Sequence, residues 1–322
     1  MKETFSLGVP SQAYPCRIPF KTCIFALNSR RMAHKSGFVN IVGSPNVGKS
    51  TLMNQLVGEK LSIVTSKAQT TRHRILGIVN DEDYQIVFSD TPGVVNAAYK
   101  LHENMMDYVN SSIRDADVLL FITDTIENEM NHVETLERIK RLEVPVLCLI
   151  NKIDKSYQEK LEERVAYWKE QLPKAKIFPI SALHNFNIDN VWAEILALMP
   201  ENPPYYEKDE ISDRPMRFFI SEIIREKIFI HCQKEIPYST QIEIEEFKEE
   251  EGITRIRAHI IVERDSQKGI IIGKGGEMLQ RIGRAARQDM EKFLDKKVFL
   301  ENFVKVDKDW RTSADKLKKY GY

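Results

Sequence analysis

The chain has 322 residues, with 47 basic and 47 acidic side chains. That length exceeds what one hydrophobic core organises, so two domains are expected, and the balanced charge means any basic surface for a polyanion has to be local. The longest apolar runs, such as "VPVLCLI" at 144–150, are strand-length and too short to cross a bilayer. Cys16, Cys23, Cys148 and Cys232 show no metal-ligand or redox spacing, and the histidines do not cluster with them. This argues against a structural metal site and for reduced thiols in a cytosolic-type compartment.

Residues 1–36 read as an extension outside any domain. The stretch from Met1 to Arg31 has three prolines, no sustained period and a single acidic residue, Glu3. An upstream translation start, with Met32 as the true beginning, is the reading favoured here; an organellar transit peptide is the alternative.

From residue 37 to 200, strand-like and helix-like patterns alternate. "GFVNIVG", "YQIVFSD", "DVLLFITD", "VPVLCLI" and the shorter "KIFPISA" are strands. "KSTLMNQLVG", "ENMMDYVNSSIRDA" and "NHVETLERIKRL" have helical spacing. This order predicts an α/β domain with a mostly parallel sheet and helices on both faces, whose ligands bind at the carboxyl ends of the strands.

The motifs fall at those ends. "GSPNVGKS" at 43–50 matches G-x-x-x-x-G-K-S/T between a strand and a helix, the pattern of a P-loop. Gly43 and Gly48 would let the backbone of Ser44, Pro45, Asn46 and Val47 wrap a phosphate chain at the positive end of the helix. Lys49 would reach the β- and γ-phosphates and Ser50 would hold Mg²⁺, with Thr51 next to it. "DTPG" follows a strand, so Asp90 would hold Mg²⁺ through water and the Gly93 N–H would face the γ-phosphate, with Thr91 and Pro92 between them. "NKID" supplies Asn151, Lys152 and Asp154; a carboxylate there accepts from N1–H and the 2-amino group of guanine, which adenine lacks. Ser181, Ala182 and Leu183 would support the base through backbone N–H groups. Each motif alone has a bland reading as loop polarity; four in order, each after a strand, do not.

With these motifs the chain resembles the translation-factor-related GTPases. The resemblance implies that "SKAQTTRHRILG", a polar and β-branched stretch without an apolar stripe, is the effector loop, in which Thr70 or Thr71 completes the Mg²⁺ shell. Thr71 is preferred by its place before Arg72. Val94 stands where Ras-like proteins carry a water-orienting glutamine, and valine can position no water. In several GTPases with a hydrophobic residue there, an asparagine at the position of Asn46 helps bind K⁺, so slow intrinsic turnover and K⁺ stimulation are expected. Lys49, Thr71, Asp90, Gly93 and Asn46 form the implied catalytic set, with GTP/GDP and Mg²⁺ as ligands.

Residues 201–215, "ENPPYYEKDEISDRP", are proline-rich and charged, and read as a stiff linker. The pattern then changes. "MRFFISEIIREKIFIHC" has helical spacing at Phe219, Ile223 and Ile230; "STQIEIEEF" and "TRIRAHIIVE" alternate like strands about the acidic turn "KEEEG". A loop "GIIIGKGG" at 269–276, a long helix and a strand "KVFLENFVKV" complete a smaller α+β domain over 216–322.

This second glycine loop has no Ser or Thr after its lysine and no base-recognition motif of its own, which argues against a second nucleotide site. Its core "GKGG" opens a helix as a G-x-x-G loop and resembles the type II KH domain, where such a loop clamps single-stranded RNA. Leu279, Ile282, Ala286 and Phe293 make one apolar stripe of that helix, with Arg281, Arg284 and Arg287 facing away. Lys268, Gly269, Ile272, Gly273, Lys274, Gly275, Gly276, Arg281 and Arg284 are the implied RNA contacts. Ile270, Ile271 and Ile272 divide between core and a platform for bases.

A GTPase domain followed by a type II KH domain resembles the Era family from about Gly37 onward. The resemblance implies a monomeric GTPase that binds the 3′ region of small-subunit ribosomal RNA and assists small-subunit assembly. It also implies a cytoplasmic location with some peripheral association at the inner face of the membrane. A GTPase acting on another RNA such as transfer RNA, and a GTP-gated RNA-binding module with negligible turnover, are the other readings.

Overall fold

The computed structural model describes residues 34–95, 97–126 and 133–322. Most of the 1–36 extension, with its Met1 or Met32 start, the organellar-targeting alternative, Cys16 and Cys23, lies outside the described residues.

The first half runs β1 (Lys35–Val42), α1 (Lys49–Val57), β2 (Ile75–Asn80), β3 (Tyr84–Asp90), α2 (Lys100–Arg114), β4 (Val118–Asp124), α3 (Val133–Lys140), β5 (Val146–Asn151), α4 (Gln158–Gln171), β6 (Lys176–Pro179) and α5 (Ile188–Leu198). The six strands form one sheet in the order β2-β3-β1-β4-β5-β6, parallel except for β2 against β3. Period-two alternation divides each central strand between two cores. Val118, Leu120, Ile122, Leu147 and Leu149 pack on one face with α1 and α5, while Leu119, Phe121, Cys148 and Ile150 pack on the other with Val109, Ile113 and Trp168. Strands buried on both faces read as continuous apolar runs, as these do in the sequence.

β2 departs from the expectation. The stretch expected as effector loop to Gly77 ends at Arg74, and Ile75 begins an antiparallel edge strand. Its bounds were hidden because Ile75, Leu76, Gly77 and Ile78 are all buried, so no alternation appears. Gly77 also reads as a breaker, yet it is there for packing: a Cβ would lie 2.5 Å from Met53 Cε.

Residues 201–215 are strapped along the open edge of this sheet. Gln85 Oε1 accepts the N–H groups of Tyr205 (2.7 Å) and Tyr206 (3.0 Å), the Ile78 N–H donates to Ile211 O at 2.9 Å, and Ser212 Oγ donates to Leu76 O at 2.5 Å. The strap uses hydrogen-bonding groups that a bare edge strand would offer to another chain.

The second half comprises α6 (Met216–His231), β7 (Gln241–Glu250), β8 (Ile253–Val262), α7 (Asp265–Ile272), α8 (Glu277–Leu294), β9 (Lys297–Val306) and α9 (Ala314–Lys319). β7 and β8 are antiparallel, and β9 adds parallel to β8. One core unites Ile220, Ile224 and Ile228 of α6 with Ile256, Ala258 and Ile260 of β8 and Ile282, Ala286 and Met290 of α8. The expected α6 stripe needs correction: Ile230 is exposed, and the buried row runs Ile220–Ile224–Ile228 at i,i+4 spacing. Phe219 instead joins the GTPase-like core, in contact with Phe293 at 5.8 Å between ring centroids.

The expected loop 269–276 also shrinks. Lys268, Gly269 and the three isoleucines lie on α7, capped by Gln267, whose Oε1 accepts the N–H groups of Glu263 (3.0 Å) and Arg264 (3.1 Å). Only Gly273–Gly276 turns between α7 and α8. Among the described residues no helix is long and apolar enough to cross a membrane.

Candidate functional site

The carboxyl ends of β1, β3 and β5 converge on a cleft of about 300 Å³ lined by the 45–51 loop, the effector segment, Gly93 and Lys152. Backbone approaches dictate the glycines. A Cβ on Gly43 would lie 2.1 Å from Ile122 O, one on Gly93 2.8 Å from Pro45 Cα, and Gly48 holds φ 103° with Asn151 Nδ2 2.2 Å from where its Cβ would be. Lys49 is buried, and its Nζ donates to Gly43 O (3.0 Å) and Ser44 O (2.7 Å), spanning the loop it follows.

At one side of the cleft three hydroxyl and carboxylate groups meet. Ser50 Oγ donates to Asp90 Oδ2 at 2.7 Å and lies 3.0 Å from Thr71 Oγ1, which itself donates to Asp90 Oδ2 at 3.3 Å. Thr71, not Thr70, makes these contacts. Asp90 is fully buried; burial pushes its carboxyl up, opposed by the hydrogen bond from Ser50, the charge of Lys49 and the hydrogen bond from Thr71. Such a set of oxygen donors suits a hard divalent cation, and the loop's N–H groups at a helix start suit phosphate, so the residues fit a Mg²⁺–nucleotide.

One predicted member, Thr91, turns away, and so does Val94, which was expected to position no water. Thr91 is buried and donates its hydroxyl to Ile41 O at 2.7 Å, under the sheet end. Val94 is buried in the apolar layer with Val109 and Phe121, its N–H on Gly43 O at 3.2 Å.

At the other end of the cleft, Asn151 is a brace. Its Nδ2 donates to Val47 O (2.8 Å) and its Oδ1 accepts the Ala182 N–H (2.9 Å), tying the P-loop to the "SAL" turn. Lys152, at φ 62°, places Nζ 2.7 Å from Asp124 Oδ2 and 2.5 Å from Asn46 O. Asp154 Oδ1 accepts from Ser181 Oγ at 2.6 Å, which holds its carboxyl below the ordinary range, while Oδ2 has His184 Nε2 at 3.9 Å. Leu183 is exposed at the rim. Sequence reasoning missed Asp124; its signal is a carboxylate ending an apolar strand, as Asp90 does.

The second glycine turn lies on the other half. Gly273 (φ 74°), Gly275 (φ 61°) and Gly276 (φ 83°) are all left-handed or beyond. A Cβ on Gly273 would clash with Met278 Cβ at 2.8 Å, whereas those on Gly275 and Gly276 would meet nothing within 4 Å. Two glycines therefore face open space and one is demanded by packing. Lys274, Arg281 and Arg284 are exposed beside them, and Lys268 is half-buried. Of the isoleucines, Ile271 is in the core, Ile272 packs at its edge and Ile270 is exposed. Arg287 is instead paired with Glu291 at 2.9 Å.

Residues 38–152 match the family described as 50S ribosome-binding GTPase, and residues 235–311 match the KH domain. The GTPase Era of Geotalea uraniireducens is 46% identical over 290 residues, 89% of this chain and 98% of that protein. The solved structure of Era with MgGDPNP and nucleotides 1506–1542 of 16S ribosomal RNA is 39% identical, with TM-score 0.86 over 90% of this chain and 99% of its own. A tyrosine-to-alanine variant of Aquifex aeolicus Era bound to GDP·AlF4⁻ is 40% identical, with TM-score 0.85 over 89% of this chain and 99% of its own. With both domain matches in this order and likeness along nearly the whole of these relatives, the chain belongs to the Era family of GTPases.

Proposed function

We propose that this chain is a GTP-hydrolysing switch in small-ribosomal-subunit assembly, which holds the single-stranded 3′ region of small-subunit ribosomal RNA on the Gly273–Gly276 turn. The observation that carries this reading is the solved Era complex with MgGDPNP and 16S ribosomal RNA, whose chain is matched over 99% of its length.

In this reading the Lys49 ammonium exchanges the carbonyls of Gly43 and Ser44 for β- and γ-phosphate oxygens. Ser50, Thr71 and Asp90 hold Mg²⁺, which when bound offsets the negative charge of those phosphates. Because Thr71 belongs to the effector segment, its contacts with Ser50 and Asp90 link the order of that segment to the nucleotide state. Asp154 reads the guanine edge, steadied by Ser181. Val94 orients no water, so turnover is slow, and Asn46 provides the place for a stimulating K⁺. On the second half, Gly275 and Gly276 admit the RNA backbone closely, and Lys268, Lys274, Arg281 and Arg284 supply the charge. Monomeric state, a cytoplasmic location and peripheral contact with the inner membrane face rest on the family resemblance alone.

Titration of a 3′ 16S single strand and of transfer RNA at several salt concentrations tests the reading, with GTP binding measured on the same preparations. Gly276→Asp puts a carboxylate on the open turn and is expected to abolish 16S binding while leaving GTP binding intact. Its left-handed φ costs roughly 1–2 kcal/mol of stability, which folding controls would show. Lys274→Ala is expected to change the log–log salt slope by about 0.7. Unchanged 16S affinity in folded Gly276→Asp, or tighter binding of transfer RNA by the wild type, would overturn the assignment.

A further inference from the structure

β4 and β5 are parallel neighbours, and their last residues, Asp124 and Asn151, lie side by side in the register. Lys152 follows β5, and the Asp124 carboxylate is turned to it. Oδ2 lies 2.7 Å from Lys152 Nζ, while Oδ1 accepts the Ile126 N–H at 2.9 Å. The Asp124 side chain is 8% exposed and that of Lys152 24%, so the pair is largely shielded from water, unlike an ion pair on an open surface. Thr125 Oγ1 also donates to Lys152 O at 3.4 Å, so the end of β4 holds the lysine at its backbone as well.

The ammonium held there reaches the P-loop. Lys152 Nζ donates to Asn46 O at 2.5 Å, and the neighbouring Asn151 Nδ2 donates to Val47 O at 2.8 Å. Two consecutive side chains thus hold two consecutive carbonyls. In a planar trans peptide the carbonyl and the following N–H point in opposite directions. The two contacts therefore turn the Val47 and Gly48 N–H groups away from Lys152 and Asn151, and such N–H groups are what a P-loop offers to phosphate. Asn151 is short and has a second anchor in the Ala182 N–H at 2.9 Å. Lys152 has a long flexible stem, and a strongly hydrated ammonium left to itself would not stay on one carbonyl.

We propose that Asp124 is a positioning residue for nucleotide binding: it fixes the Lys152 ammonium on the Asn46 carbonyl and thereby keeps the Val47 N–H directed at phosphate. This rests on the assignment of the cleft to GTP and GDP.

The test is the rate of release of a fluorescent GDP analogue from the full chain. Asp124→Asn removes the charge, keeps an acceptor for the Ile126 N–H, and is expected to speed release about tenfold, the size of one lost charge-assisted contact. Lys152→Met keeps the stem without the ammonium and is expected to match it, with the double variant no faster than either single. Asp124→Glu restores the charge, to which the lysine stem can adjust, and is expected to recover most of the difference. Release within about twofold of wild type in folded Asp124→Asn would overturn the proposal. So would effects that multiply in the double variant, which mark two independent structural roles. Should Asp124→Asn not fold, unchanged release from Lys152→Met would overturn it alone. A wild-type chain that binds neither GDP nor GTP would overturn the nucleotide assignment itself, and this inference with it.

Discussion

The imidazole of His73 and the ring of Tyr322 stack 4.4 Å apart with 16° between their planes. His73 belongs to the effector segment and Tyr322 follows α9, so the stack joins the nucleotide cleft to the KH half. Two neighbouring contacts do the same. Lys67 Nζ donates to Phe229 O and Cys232 O at the carboxyl end of α6, where a cation is favoured. The Arg72 guanidinium donates to Pro237 O (3.0 Å), Tyr238 O (2.9 Å) and Thr240 O (2.7 Å), and stands over Trp310. A segment expected as a polar loop is thus fastened to the other domain by its cations and its histidine.

His73 is held neutral, its pKa well below the ordinary 6.5, first by burial and then by the charges of Arg214, Arg225 and Arg72. The unfolded chain takes up a proton near 6.5 while the folded chain does not, so stability is lost as pH falls below that value. The loss approaches about 1.4 kcal/mol per pH unit until the folded pKa is reached. His73→Phe keeps an aromatic ring without a titratable group. Urea unfolding of both proteins at pH 7.5 and 5.5 should show a smaller acid loss in the variant; equal losses would refute the assignment.

Arg72→Ala strands three carbonyl oxygens that a single buried guanidinium now satisfies. The expected cost is about 3 kcal/mol or more, read as a lower urea midpoint. Arg72→Lys should recover less than half of it, because an ammonium lacks the planar fork and the stacking on Trp310.

Asp154→Asn should weaken GTP binding by about 1.5–3 kcal/mol and shift preference toward xanthosine triphosphate, whose 2-oxo group accepts where guanine donates. Competition titrations with both nucleotides check this. Unchanged GTP affinity would remove Asp154 from base reading.

Hydrolysis is expected to run faster in KCl than in NaCl at equal ionic strength, with the difference lost in Asn46→Ala. Asn46 is at φ 64° with Nδ2 on Ser66 O at 3.3 Å, so the amide already sits between the P-loop and the effector segment. Phosphate release measured in both salts decides it; equal wild-type rates would end the K⁺ assignment and leave the GTPase activity untouched.

The nucleotide motifs were legible because their logic is local: "GSPNVGKS", "DTPG" and "NKID" each follow an apolar strand, and chain direction alone puts strand ends on one side of a parallel sheet. The same holds for α6, the three strands and α8 of the second half and for the "GKGG" turn. The burial of α6 was not legible, since both domains compete for its faces and Ile230 meets neither. Nor was α7, because "GIIIG" has poor helix formers and only the burial of Ile271 and the Gln267 cap make it a helix. Local spacing determined which residues gather at the strand ends and where the P-loop needs glycine. Tertiary structure alone decided that Asn151 ties Val47 to Ala182, and that Arg72 reaches Thr240, 168 residues away. Contacts of that range depend on which buried surfaces meet, and no local pattern encodes the partner.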